Sequence, residues 1–201
     1  MTIAAVVFDI GGVLQLTPRL DLEARWRERF GLTEPAYLEL TNPIWKAGST
    51  GELDIGEVHQ RLGQVLGIDE STVDALMADV WTEYLGSLNT ELYEYLRGLR
   101  PRYRTGLLSN SFAGAREKEQ LAYGFEDLVD DIVYSHEVGV AKPDPAVYAL
   151  TCERHGADPS ELLFLDDVPT FVEGARAYGI QAVLFRDNAQ AIAEVEARLA
   201  R

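Results

Sequence analysis

Three short apolar runs in this chain stop on polar groups that could do chemistry, and a lysine stands after a fourth. Ala4-Ala5-Val6-Val7-Phe8 ends on Asp9 and is followed by Ile10-Gly11-Gly12, residues 103–108 end on Ser109-Asn110-Ser111, and Leu162-Leu163-Phe164-Leu165 ends on Asp166-Asp167. Lys142 follows the run at 131–134. Two strands that deliver carboxylates to one place repel each other unless a cation sits between them. A hard divalent ion with oxygen ligands, such as Mg²⁺, meets that need and keeps several waters. A hydroxyl and an ammonium opposite the carboxylates then suit an anion held between metal and lysine.

For that chemistry to exist, the fold must bring these groups together. From Asn89 onward, helical and strand patterns exchange every ten to twenty residues, as in repeated βα units, which require parallel strands. Open parallel sheets bind ligands outside the carboxyl ends of their strands, so Asp9, Ser109, Lys142 and Asp166-Asp167 are expected along one edge. The spacing predicts strands over 103–108, 131–134, 162–165 and 181–185. It predicts helices over 90–99, 113–123, 145–155 with Asp144 as cap, 172–178 and 189–199. Between these units and the first strand, residues 21–81 carry helical spacing with almost no β-rich run. They are expected to form an inserted all-helical domain, with a first helix around Leu22 and Trp26 and a short one near 35–41. Two further apolar stripes follow, the last capped by Ser71. The expected division is an α/β core of residues 1–16 and 88–201 and a helical domain of 17–87, joined by hinges near 16–18 and 86–88.

Composition narrows the partners. The 201 residues are 47% hydrophobic and 25% charged, as in an ordinary globular protein, and long enough for one core with a smaller appended domain. Lys and Arg number 18 against 33 Asp and Glu, a formal net charge of -15, so nucleic acid and anionic membranes are poor partners and a small anionic substrate needs a local cation. Cys152 is the single cysteine, which excludes an internal disulfide and a thiolate cluster within one chain. The first apolar run lacks a basic lead and is interrupted by Asp9. Neither a signal peptide nor a spanning helix is expected, and the expected location is the cytoplasm. Nothing in the pattern fixes the oligomeric state.

Phe8-Asp9-Ile10-Gly11-Gly12-Val13-Leu14, Leu108-Ser109-Asn110, Ala141-Lys142-Pro143-Asp144-Pro145 and Leu165-Asp166-Asp167 resemble, in order and spacing, the motifs of the haloacid dehalogenase superfamily. The likeness covers nearly the whole chain, including the helical cap inserted after the first motif. It implies a Rossmann-like parallel sheet of order 5-4-1-2-3, with helices on both faces and a mobile helical cap. It also implies a phosphatase that hydrolyses a small phosphorylated metabolite, such as a sugar phosphate, through an aspartyl-phosphate. By that likeness, Asp9 is the nucleophile. Mg²⁺ is held by Asp9, the Gly11 carbonyl, Asp166 and Asp167. The phosphate lies against Gly11, Ser109, Asn110 and Lys142.

Two positions depart from the family pattern. Gly11 stands where most phosphatases of the family carry a second aspartate as general acid, so a proton donor typically worth about 10²–10⁴-fold is missing. Leaving groups that need little protonation, or an acid borrowed from the cap, would compensate. Phe171 stands where an asparagine is usual. A hydrolytic 2-haloacid dehalogenase using the same aspartate is the competing enzyme, since halide needs no protonation. Against it, Asp166-Asp167 replaces a serine-rich fourth motif, and two adjacent acids without a cation are costly. A binding module on a dead scaffold is the third reading. Among the remaining residues, Trp26, Trp45 and Trp81 are expected as packing, His59 as a solvated residue and His155 as a partner of its helix dipole. His136 is expected to be structural. Glu137 and Asp144 are placed to orient Lys142, and Arg19 and Arg25 are placed to reach the cleft.

Overall fold

The computed structural model describes residues 2–18 and 20–200, so the expectation for Arg19 lies outside the described residues. In chain order the elements are β1 (Ala5–Phe8), β2 (Gln15–Leu16), α1 (Leu22–Arg29), α2 (Glu34–Thr50), α3 (Ile55–Leu66), α4 (Glu70–Leu85) and β3 (Ser87–Leu88). They continue as α5 (Thr90–Leu99), β4 (Arg104–Ser109), α6 (Ala115–Tyr123), α7 (Phe125–Leu128), β5 (Asp131–Tyr134), α8 (Ser135–Val138) and α9 (Pro145–His155). The last are β6 (Leu162–Asp166), α10 (Pro169–Tyr178), β7 (Gln181–Leu184) and α11 (Asn188–Leu199).

β1 is apolar at every position because it is the central strand and is covered on both faces. The sheet order is β5-β4-β1-β6-β7, and all its pairings are parallel. Counting only these strands, that is the expected 5-4-1-2-3. Val6 and Phe8 pack with Leu107, Leu163, Val183, Leu92, Leu96 and Val195 on one face. Ala5 and Val7 pack with Leu108, Phe164, Val147, Tyr148 and Val172 on the other. Each such side chain taken fully from water contributes about 1.5–3 kcal/mol, and the alternation locks the register, since a one-residue slip would exchange the two faces. Phe8 lies opposite Leu107 and Leu165, which places Asp9 and Asp166 side by side one residue further on. Among the described residues, no helix is long and apolar enough to cross a membrane.

Helices α1–α4 bury a separate cluster that includes Trp26, Ile44, Val58, Leu62, Leu76, Met77 and Trp81. The chain enters and leaves this bundle through β2 and β3, which pair antiparallel, Gln15 with Leu88 and Leu16 with Ser87. This ribbon occupies the expected hinges, and its two-residue strands are too short to show in a periodicity.

Several local expectations need correction. Residues 34–50 form one helix, where the sequence predicts a short helix near 35–41 followed by a loop or a second short helix through Trp45, Gly48 and Gly51. Tyr37, Thr41, Ile44 and Gly48 are buried along one stripe that carries α2 through the proline. Asp69, and not Ser71, caps α4: its side chain accepts from the Thr72 amide at 2.8 Å, while the Ser71 hydroxyl donates to Asp69 at 3.0 Å. α10 begins at Pro169, three residues before the expected start, because proline is suited to a first helical turn. The single-turn helices α7 and α8 were not foreseen.

Candidate active site

Asp9, Ser109 and Asp166 arrive at the same edge because each is the last residue of its strand or the first beyond it. The Asp9 amide donates to the Leu165 carbonyl at 2.8 Å, which fixes Asp9 beside Asp166 across the β1–β6 pair. Lys142 comes from the loop between α8 and α9, and its ammonium bridges both acids, 2.8 Å from Asp9 Oδ1 and 2.6 Å from Asp166 Oδ2. Asp9, Ser109, Lys142 and Asp166 are all buried. The backbone supplies further donors: the Ile10 amide to Asp9 Oδ1 at 2.7 Å and the Val168 amide to Asp166 Oδ1 at 2.8 Å. Asp9 Oδ1 therefore takes both the Lys142 ammonium and the Ile10 amide, while Asp166 is held on both oxygens, Oδ1 by the Val168 amide and Oδ2 by Lys142.

Asp167 completes an acidic trio. Carboxylate oxygens of Asp9, Asp166 and Asp167 lie within 4.8 Å of one another, close enough to share one cation. Burial, and secondarily Asp166, pushes the Asp9 carboxyl up to about 7 although Lys142 opposes the rise. Asp167 is likewise raised by burial and by Asp166. One ammonium therefore does not offset the charge gathered here, and a divalent ion with oxygen ligands fits the residues present. The exposed Gly11, bridged to Gln15, leaves its backbone at the mouth of the same loop. Gly12 has φ +75°, and a β-carbon there would overlap the Asp167 carboxylate. The second glycine is thus needed both by the turn and by the acid behind it, a requirement that sequence reasoning left without a role.

Residues 3–179 match the family described as haloacid dehalogenase-like hydrolase. The chain belongs to that family. It is 30% identical over 209 residues to a phosphatase, MT3486, of Mycobacterium tuberculosis, across 94% of this chain and 90% of the relative. It is 27% identical over 216 residues to bifunctional epoxide hydrolase 2 of Sus scrofa, where 98% of this chain spans only 39% of the relative's length. A haloacid dehalogenase family enzyme of Bacteroides thetaiotaomicron, solved with magnesium and inorganic phosphate, superposes with a TM-score of 0.78 at 23% identity, over 94% of this chain and 98% of that one.

Within this haloacid dehalogenase-like site, several expected residues do other work. The carboxamide of Asn110, expected as a donor to phosphate, is committed to the Lys142 backbone, accepting from its amide at 2.8 Å and donating to its carbonyl at 2.9 Å. Asn110 positions Lys142. Glu137 does not orient Lys142; it forms a fork with Arg116 at 2.5 and 2.8 Å. Asp144 caps α9 through the Ala146 amide at 2.9 Å. Phe171, in place of a polar residue, lays its ring 5.0 Å from the Lys142 ammonium, with Phe164 at 5.5 Å. These rings contribute a cation–π contact that a motif search for polar groups overlooks.

The remaining readings divide. Trp26 and Trp81 are buried packing residues, with the Trp26 indole donating to Asp79 at 2.9 Å, and Trp45 is half-buried. His59 faces Asp74 at 3.4 Å on the cap surface. His136 contacts Ser111 Oγ at 2.6 Å. His155 lies in the last turn of α9 and is buried: Nδ1 lies 2.9 Å from the Thr151 carbonyl, and its ring fills the space left by Gly106. Arg25 is exposed on α1.

Proposed function

We propose that this protein is a Mg²⁺-dependent phosphomonoester hydrolase acting on a small phosphorylated metabolite, with Asp9 as nucleophile. The observation that carries this reading is the acidic trio Asp9, Asp166 and Asp167, whose two buried members, Asp9 and Asp166, are bridged by Lys142. It is supported by the likeness to the mycobacterial phosphatase and by the magnesium and phosphate in the Bacteroides relative. The core comprises residues 1–16 and 88–201 and the cap residues 17–87, a division supported by the separate apolar cluster of the cap and by the β2–β3 ribbon. We place the activity in the cytoplasm, a reading supported by the one cysteine being buried and unpaired.

Asp9 Oδ1 is held by Lys142 and the Ile10 amide, which leaves Oδ2 to attack phosphorus in line with the leaving oxygen. The Oδ2–P bond forms as the bond from phosphorus to the alcohol oxygen breaks, giving an aspartyl-phosphate and an alkoxide that takes its proton from water. Water then attacks phosphorus, the Oδ2–P bond breaks, and the Asp9 carboxylate and inorganic phosphate are released. Ser109 and Lys142 hold phosphoryl oxygens. Asp9, Asp166, Asp167 and the Gly11 carbonyl would hold Mg²⁺, which would supply the positive charge that lets an anionic nucleophile approach an anionic phosphoryl group.

The test is phosphate release from a panel of monoesters, with Mg²⁺ and with EDTA. Hydrolysis that EDTA abolishes, and that falls at least about 10³-fold in Asp9→Asn, is expected. Halide release from 2-haloacids without metal would assign the site to dehalogenation, and binding unchanged in Asp9→Asn with no turnover would assign it to a binding module.

A further inference from the structure

Positive charge in this acidic chain gathers away from the catalytic edge. Arg97, Arg100, Arg102 and Arg104 fall within eight residues that contain no carboxylate, although the whole chain holds 18 basic against 33 acidic side chains. The stretch covers the end of α5, the turn after it and the start of β4. β4 runs from Arg104 to Ser109, so these arginines lie at the opposite edge of the sheet from the phosphate site, on the order of 17 Å away at about 3.3 Å per residue.

A cavity of about 340 Å³ opens there, walled by Arg100, Arg102 and Arg104 together with Ala4, Tyr103 and Asp130. Its one acid is already engaged. Asp130 Oδ1 accepts from Arg100 at 2.8 Å, and Oδ2 accepts from the Thr105 amide at 2.8 Å and from the Thr105 hydroxyl at 3.3 Å. Burial works against ionisation, yet the Thr105 amide and Arg100 hold the Asp130 carboxyl below its ordinary value. The other two arginines lack such a partner. Among the described residues no carboxylate pairs with either: Arg102 lies over the Tyr103 ring at 5.5 Å, and Arg104 donates to the Arg154 carbonyl at 3.4 Å. The backbone beneath them is tied down. The Arg102 and Tyr103 amides both donate to the Leu99 carbonyl, at 3.0 and 3.2 Å, and the Arg104 amide donates to the Ala4 carbonyl at 3.1 Å. Two guanidinium groups without counter-ions therefore face one cavity from an anchored turn.

We propose that this cavity binds a small oligophosphate, a ligand class separate from the monoester handled at Asp9. Guanidinium forks match phosphate oxygens two at a time, and a ligand with several charges gathers enough local attraction to overcome the repulsion of a chain at -15. A monocarboxylate leaves one fork unmatched, and an apolar ligand leaves both so. At about 30 Å³ per water the cavity equals roughly eleven waters, room for about two or three phosphate groups.

The test is calorimetric titration of the full chain with inorganic tripolyphosphate and with ATP, in EDTA so that no metal links either to the carboxylates around Asp9. Saturable binding is expected, with a Kd of about 10⁻⁴ M or tighter, and weakening of at least about tenfold in the double variant Arg102→Gln, Arg104→Gln. Amide resonances of Ala4, Arg102 and Arg104 should move with the ligand in the unmutated chain while those of Ile10 and Asn110 stay in place, which locates the binding without reliance on a variant. Tighter binding of ATP than of tripolyphosphate would make the ligand a nucleotide, and equal binding a free oligophosphate; either supports the proposal. No saturable binding of either probe at about 10 mM, equal binding by the double variant, or resonance shifts confined to the catalytic edge would overturn it.

Discussion

A β-carbon placed at Gly11 meets no atom within 4 Å, and Gly11 is absent from the glycines with positive φ, so an aspartate can stand there without strain. The wild-type enzyme lacks a donor at that point, and its rates should fall steeply as the leaving-group pKa rises. Gly11→Asp should raise kcat/KM for alkyl phosphates by about 10²-fold and leave aryl phosphates little changed, as a plot of log rate against leaving-group pKa would show. An unchanged slope would mean that another group already delivers the proton. Neighbouring Gly12 offers the contrast, since any side chain there displaces Asp167. At this scale, Asp9, Ser109, Lys142, Asp166 and Asp167 were legible because charged or polar residues at the ends of apolar strands have few other uses. Asn110 and Phe171 were not, because their partners are the backbone and the ammonium of a lysine distant in sequence.

Helix α6 buries a carboxylate. Glu119 is fully buried, its Oε2 accepts from the Tyr134 hydroxyl at 2.6 Å, and burial pushes it up to about 7 from an ordinary 4.5 despite Tyr134, Tyr84 and Arg116. Between those values the folded state holds a proton that the unfolded state has released. Stability from this group is therefore present at low pH and is lost as pH rises from about 4.5 to 7. Glu119→Gln should remove that dependence, gaining on the order of 2–3 kcal/mol relative to wild type between pH 4.5 and 8 in urea unfolding. Parallel stability profiles would place the titration elsewhere. Helix ends marked by side-chain caps or glycine, as at Asp144 and Gly67, were legible in the sequence. The continuity of α2 through Pro43 was not, because it depends on a buried stripe formed with other helices. The β2–β3 ribbon was not either, because its register is set by residues 71 or more positions apart in the chain.

The molecule as a whole opposes its own substrate. A net charge of -15 repels a phosphate dianion at long range, and Lys142, with the cation proposed beside it, supplies the attraction at the site. With Mg²⁺ held constant, kcat/KM should rise as ionic strength goes from 20 to about 150 mM, because screening weakens the repulsion. A fall would reveal a basic approach path that the described residues do not show. The parallel sheet and the inserted bundle were legible because alternating βα units require parallel strands and residues 21–81 lack β-rich runs, while the strand order was implied by the family resemblance. What the cap encloses was not, since its interior is built from helix faces whose mutual rotation no periodicity specifies. The most direct test of the central claim is a crystal structure grown with Mg²⁺ and beryllium fluoride, an aspartyl-phosphate mimic. Beryllium is expected to be bonded to Asp9 Oδ2, with one metal ion contacting Asp9, Asp166 and the Gly11 carbonyl. An adduct on another residue, or a metal outside this trio under saturating conditions, would contradict it.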